Sequence, residues 1–249
     1  MITALAVSST AVLITFIAAA VQDFRSRTVF RVTWYPAFVI GLVCVVIFYV
    51  QTMPGTLVFL ILSVVVAALM AGFSLIGMFG KADAKALVLL ALTVPVSPFA
   101  ESVFPSLALS SIVNACILSM IVPAVFLVYN AVKKNKAPFL TRASGFPVNG
   151  AEILNYHGFI AEDVAEENDG TIRRTFAKLN ASALRTDKDK FLRNLRERQQ
   201  AYRYEIGLYQ RCDKIWIAAG IPFLIPLTVG FILSLFGIST VDFILDFFI

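Results

Sequence analysis

The sequence predicts an all-α membrane protein of six transmembrane helices, with a cytoplasmic insert between the fifth and the sixth. Three observations lead there. The 249-residue chain is 59% apolar and only 15% charged, with a mean hydropathy of +0.82. A soluble domain averages roughly 45–50% apolar and about 25% charged. The charge it does carry is crowded: residues 133–214 hold 16 of the 21 Lys and Arg and 11 of the 16 Asp and Glu. Outside that stretch lie six apolar runs near the length of about 20 residues that a bilayer-spanning helix needs.

The first run, 2–21, has its basic residues Arg25 and Arg27 behind it rather than ahead. It therefore reads as a retained helix and not as a signal peptide. The second and third cover 34–50 and 56–78. The fourth, 84–98, is short and ends in Pro95 and Pro98, as a half-span or a strongly tilted helix would. The fifth covers 107–132. The sixth, 215–236, has its regularity broken by Gly220, Pro222 and Pro226. Its IPFLIP segment is either a mere kink or broken helix that protein or water must cover. The closing VDFILDFFI is too short to span and is expected at the interface, with Asp242 and Asp246 as anchors. The expected organisation is membrane helices over 1–132, a soluble insert over 133–214, and helix 6 with an interfacial tail over 215–249.

Orientation follows from the Lys and Arg bias. Arg25, Arg27 and Arg31 follow helix 1, Lys81 and Lys85 follow helix 3, and KKNK follows helix 5. The loops on the other side, QTMPG and 98–105, carry no Lys or Arg. The N-terminus is expected outside, in a multi-pass cell-membrane protein whose insert is cytoplasmic.

Cys44, Cys116 and Cys212 are widely separated, and His157 is the only histidine. Neither a disulfide framework nor a Cys/His metal site is expected, and no cofactor is implied. In the insert, the acidic run AEDVAEEND precedes DKDKFLRNLRERQQAYRYEIGLYQRCDK. The latter is readable as one helix with Phe191, Leu195, Tyr202, Ile206 and Tyr209 on its apolar side. Its basic residues alternate with acids and no aromatic binding motif is present, which argues against a nucleic-acid partner. The insert reads either as a solvated face beside the membrane or as a surface for a basic partner, in which case the acidic run 162–169 is the sensible dock.

Two acids stand apart from that insert. Asp23 in VQDFRSR and Asp83 in GKADAK lie at the cytoplasmic ends of apolar runs, at similar depth. A carboxylate there is costly unless paired, so each is a functional candidate. Two carboxylates sharing a site cannot both ionise easily. One then serves as acid and the other as base, as in aspartic proteases. The structural alternative is plain: Asp23 with Arg25 and Arg27 as a solvated interfacial patch, and Asp83 as an N-terminal cap of helix 4.

VQDFRSR after the first helix, GKADAK before the fourth, and the ending IWIAAGIPFLIPLTVGFI…VDFILDFFI together resemble the archaeal preflagellin peptidases. Those belong to the prepilin peptidase-like GxGD intramembrane aspartyl proteases, and the likeness covers most of the chain. It implies Asp23 and Asp83 as catalytic residues, Gly80 and Ala82 as motif positions, and Lys85 as a lysine common two places after the second aspartate. It further implies removal of a short basic leader from preflagellin- and prepilin-like precursors at the cytoplasmic membrane face. One departure stands out: the family reads Gly-x-Gly-Asp, whereas this chain reads Gly80-Lys81-Ala82-Asp83. An added Cβ disfavours positive φ, so position 82 is expected either to have an ordinary φ or to reduce activity. Bacterial relatives carry a four-cysteine cytoplasmic domain and methylate the new N-terminus; this chain has no such cluster, so cleavage without methylation is expected. Two rival readings are a proton- or cation-coupled transporter using the same aspartates and a membrane scaffold without catalysis.

Overall fold

The computed structural model describes residues 2–76, 80–100, 104–176, 191–219, 222–241 and 243. The chain divides into two compact units, Met1–Ser119 with Pro222–Ile249, and Met120–Ile221.

The first unit is helical. α1 (Ile2–Ser26) leads through a 3-10 turn, Arg31–Trp34, into α2 (Tyr35–Thr52), followed by α3 (Leu57–Leu75), α4 (Lys81–Thr93) and α5 (Leu107–Ser119). Among the described residues, four stretches are long and apolar enough to cross a bilayer: Thr3–Ser26, Arg31–Thr52, Leu57–Leu75 and Leu107–Val132. Their outward faces remain apolar, with Val7, Ile14, Val43, Val50, Val58 and Ile61 all exposed. Water would not tolerate such a surface, whereas lipid does. The protein is a membrane protein.

The fourth predicted run is shorter than a span. α4 has 13 residues, about 20 Å at 1.5 Å per residue, against a hydrocarbon core of about 30 Å. It lies in the centre of its unit, packed on α1, α2, α3 and α5. Ala86, Leu87, Leu90, Ala91 and Thr93 are all buried. Its far end is gripped at Thr93, whose carbonyl accepts the Ser8 hydroxyl at 2.7 Å. A Cβ added at Gly41 of α2 would lie 2.5 Å from Thr93 Cβ.

The predicted fifth helix is interrupted at Met120, where α5 gives way to α6 (Ile121–Val132). Pro123 has no N–H to bond the carbonyl four residues back, which breaks the ladder there. The boundary between the two units falls at this break.

The second unit overturns the all-α expectation. After α6 come α7 (Phe139–Ser144), β1 (Gly145–Val148), a 3-10 turn, β2 (Phe159–Ile160), β3 (Glu162–Glu166), β4 (Ile172–Phe176), α8 (Leu192–Glu197), α9 (Arg203–Gln210) and β5 (Ile215–Ala218). One sheet has the order β1-β5-β2, all antiparallel, and β3 pairs with β4 as a hairpin. The run 215–236 is thus not one helix. Ile215, Trp216, Ile217 and Ala218 form the central, fully buried strand, and among the described residues of the run α10 (Leu224–Leu235) is the helical part. A strand buried on both faces reads as an unbroken apolar run, which periodicity cannot separate from a helix. Pro147 sits in β1, at the sheet edge, where a missing N–H is harmless. The charged stretch is also two helices rather than one, α8 and α9, separated by residues 198–202. Leu195, Ile206 and Tyr209 bury against Ile153, Ile160 and Ile217 as the core of this unit.

α10 returns to the first unit and packs most extensively on α5. Buried Asn114 clasps it there. Its amide donates to Ser234 Oγ at 2.9 Å and to the Ile238 carbonyl at 3.0 Å, and its Oδ1 accepts from Thr240 N at 2.9 Å. Small residues allow this approach: a Cβ at Gly230 would come within 2.7 Å of the Ser111 carbonyl and 2.8 Å of Ala115 N. Gly230→Ala is therefore expected to destabilise the protein by about 1–3 kcal/mol, read as a lower thermal midpoint in detergent. An unchanged midpoint would mean that α10 slides to make room.

Gly220, Asp242 and Asp246 lie outside the described residues, so the expected kink at Gly220 and the interfacial anchors are not placed.

Candidate active site

Asp23 occupies the last turn of α1. The helix closes just beyond it, with Arg27 in the left-handed conformation (φ 54°) and its N–H on the Asp23 carbonyl at 2.9 Å. That position is ordinarily taken by glycine. The chain is then folded back by Gln22, which the sequence reading passed over. Its Oε1 accepts the Phe30 N–H and the Thr33 hydroxyl, each at 3.1 Å. Gln22 thereby ties the loop after α1 to the turn that bears Asp23. The signal was available: an amide at the end of an apolar helix, beside the acid.

Asp83 is the third residue of α4. Gly80 is the N-cap, in an extended conformation at φ −61° and ψ 147°, and the Asp83 carboxylate accepts the Gly80 N–H. This is the reciprocal half of a capping box, and the helix dipole favours an acid in that turn. A Cβ at position 80 would lie 2.7 Å from Asp83 Oδ2. Glycine leaves the carboxylate room here, where a side chain would push Oδ2 aside, and its backbone is not left-handed.

The departure at Ala82 now has a physical account. It lies within the first turn of α4, partly buried against the helical core, and is not among the residues with positive φ. Alanine suits that position better than glycine. Ala82→Gly is therefore expected to give no gain in cleavage rate and to lower stability by up to about 1 kcal/mol. A large gain in rate would overturn this account.

The structure brings Asp23 and Asp83 into electrostatic reach of one another, across the packing of α1 on α4. Arg27 is likewise in reach of Asp23. Lys85 is not brought to the pair. It is two residues beyond Asp83, about 200° further round the helix, and lines a groove between α2, α3 and α4. Among the described residues, no cluster of His, Cys, Asp and Glu is arranged to hold a metal.

The acidic run of the second unit is mostly engaged internally. Glu162 is buried and takes both the Nε and Nη2 of Arg174, at 2.8 and 2.9 Å. Glu166 pairs with Arg211 and Glu167 with Arg173. Asp169 turns the hairpin, and the hydroxyl and N–H of Thr171 hold its carboxyl below the usual range. Carboxylates so occupied make a poorer dock for a basic partner than the bare sequence suggests. His157 lies in a loop, 3.4 Å from Nη1 of Arg196.

Both aspartates lie within residues 10–128, which match the model of the type IV leader peptidase family, Peptidase A24. Residues 137–237 match a second model, described as archaeal Peptidase A24 C-terminus Type II. The chain belongs to the type IV leader peptidase family. No curated protein matches it. As a leader peptidase it is a hydrolase of peptide bonds, in the family that processes prepilin- and preflagellin-like precursors. The second match runs from before α7 through α10, so the small sheet lies within the residues that it covers.

Proposed function

We propose that this leader peptidase is an aspartyl endopeptidase. Asp23 and Asp83 form its catalytic pair, and it removes a short basic leader from preflagellin- or prepilin-like precursors at the cytoplasmic membrane face. The observation that carries the reading is the meeting of α1 and α4, which holds the two acids within reach of each other's charge. The Lys and Arg bias supports a cytoplasmic position for that end of the helices.

The pair shares one proton. The ionised carboxylate takes a proton from water as the water oxygen attacks the scissile carbonyl. The protonated partner donates to the carbonyl oxygen. As the tetrahedral diol collapses, the C–N bond breaks, the departing amine takes the proton drawn from water, and one diol hydroxyl returns its proton to the other carboxylate as the C=O re-forms, which leaves one proton on the pair. Because each carboxylate shifts the other, they titrate as a unit. No metal or cofactor enters these steps.

The test uses detergent-solubilised full-length protein and a precursor with a basic leader ahead of a hydrophobic helix. Mass spectrometry should find a single cut just before the helix. Intact precursor, together with proton or cation flux in liposomes, would favour the transporter and sink the proposal.

A further inference from the structure

We infer that the groove between α2, α3 and α4 is a binding site for an anionic phospholipid. The groove encloses about 680 Å³ and is lined by Trp34, Phe38, Leu75, Val88, Lys81 and Lys85 among others. Its lining is apolar apart from one end, where the two lysines stand a single helical turn apart on α4. Residues at i and i+4 share a helix face, so both ammonium groups serve one side of α4, with Ala84 and Val88 on the same face. Asp83 lies on the opposite side. Neither lysine forms an ion pair among the described residues, and no acidic side chain lines the groove.

The occupant follows from this division. Two unpaired cations at the mouth of an apolar trough call for an anion attached to a hydrocarbon chain. A phosphodiester headgroup would sit between Lys81 and Lys85, with one acyl chain along Phe38, Leu75 and Val88. Basic pockets between membrane helices commonly take anionic headgroups in this way. A precursor with a basic leader is disfavoured by the same two charges. Lysines that merely snorkel to the interface would hold no particular lipid.

Trp34 supplies the reading, because the chain has only two tryptophans. The full-length Trp216→Phe protein is placed in phosphatidylcholine vesicles, leaving Trp34 as the sole emitter. Brominated phosphatidylglycerol or brominated phosphatidylcholine is then titrated in. The anionic lipid is expected to half-quench Trp34 at a mole fraction on the order of tenfold lower. Lys81→Gln with Lys85→Gln should abolish that preference, and the Lys81→Arg, Lys85→Arg pair should keep it. Lys133→Gln with Lys136→Gln controls for general surface charge and should also keep it. Equal quenching by both lipids, or a preference that survives the Gln pair, would overturn the assignment. So would protection of Trp34 by added precursor, which would give the groove to the substrate. The wild-type protein with both tryptophans repeats the comparison should Trp216→Phe fold poorly, and a missing headgroup preference there counts against the site equally.

Discussion

Asp83→Asn is expected to lower the rate of leader cleavage by roughly 10³-fold or more, and Asp23→Asn to do the same. The substitution is nearly isosteric. At position 83 the amide oxygen can still accept the Gly80 N–H that the carboxylate accepts now, so the first turn of α4 should keep its cap. What is lost is the shared proton. An amide neither takes a proton from water nor passes one to the carbonyl oxygen. Residues that act as one unit are strongly non-additive, so the double variant should be scarcely slower than either single one. The measurement is initial rate on the precursor, with thermal midpoints alongside to show that both variants fold. A well-folded Asp83→Asn protein cleaving near the wild-type rate would remove Asp83 from the chemistry and leave it as a helix cap.

Glu162→Ala should destabilise the second unit by about 2–4 kcal/mol. Glu162 is only 2% exposed. Besides its two-pronged contact with Arg174, its Oε1 accepts the Trp216 N–H at 2.8 Å, so one carboxylate joins the β3–β4 hairpin to the central strand β5. Removing it leaves a backbone N–H without its partner and a guanidinium without its counter-charge. The Arg174 side chain is about a third exposed, so water compensates in part, which places the effect below the 3–5 kcal/mol of a fully buried pair. Glu162→Gln should lose less, because the amide oxygen can keep the Trp216 contact. Thermal unfolding followed by Trp fluorescence is the check. Equal midpoints for Ala and Gln would mean that charge, rather than the strand contact, does the holding.

Much of the helical membrane part was legible in the sequence, because a bilayer requires long apolar runs and little else produces them. The short fourth element was legible too, from Pro95 and Pro98. The sheet was not. Ile215–Ala218 is buried on both faces, so it lacks the alternation that marks a strand, and it runs on in sequence toward the apolar helix α10. Only Gly220 and Pro222 punctuate the join, and both were read as irregularities within one helix. The break between α8 and α9 leaves still less trace, since RQQAY contains neither glycine nor proline. In the candidate site, the two acids stood out by their position. Gln22 did not, because its part lies in bonds to residues eight and eleven places away. Lys85 is joined to Asp83 only through the resemblance to the preflagellin peptidases, whereas helical rotation carries it to another face.

α4 is gripped at Thr93 and carries Asp83, the proposed catalytic acid, near its other end. The grip made by Ser8 and Gly41 lies ten residues and about 15 Å from that acid. A rotation of about 10° around the held end would sweep Asp83 through roughly 2.5 Å. A displacement of that size decides whether two carboxyl groups merely sense each other or share a water. The buried contacts around Ser8, Gly41 and Thr93 would thus bear on the position of the proposed catalytic acid without touching it. Loosening them, even by a single methyl, would be felt at the opposite end of the helix.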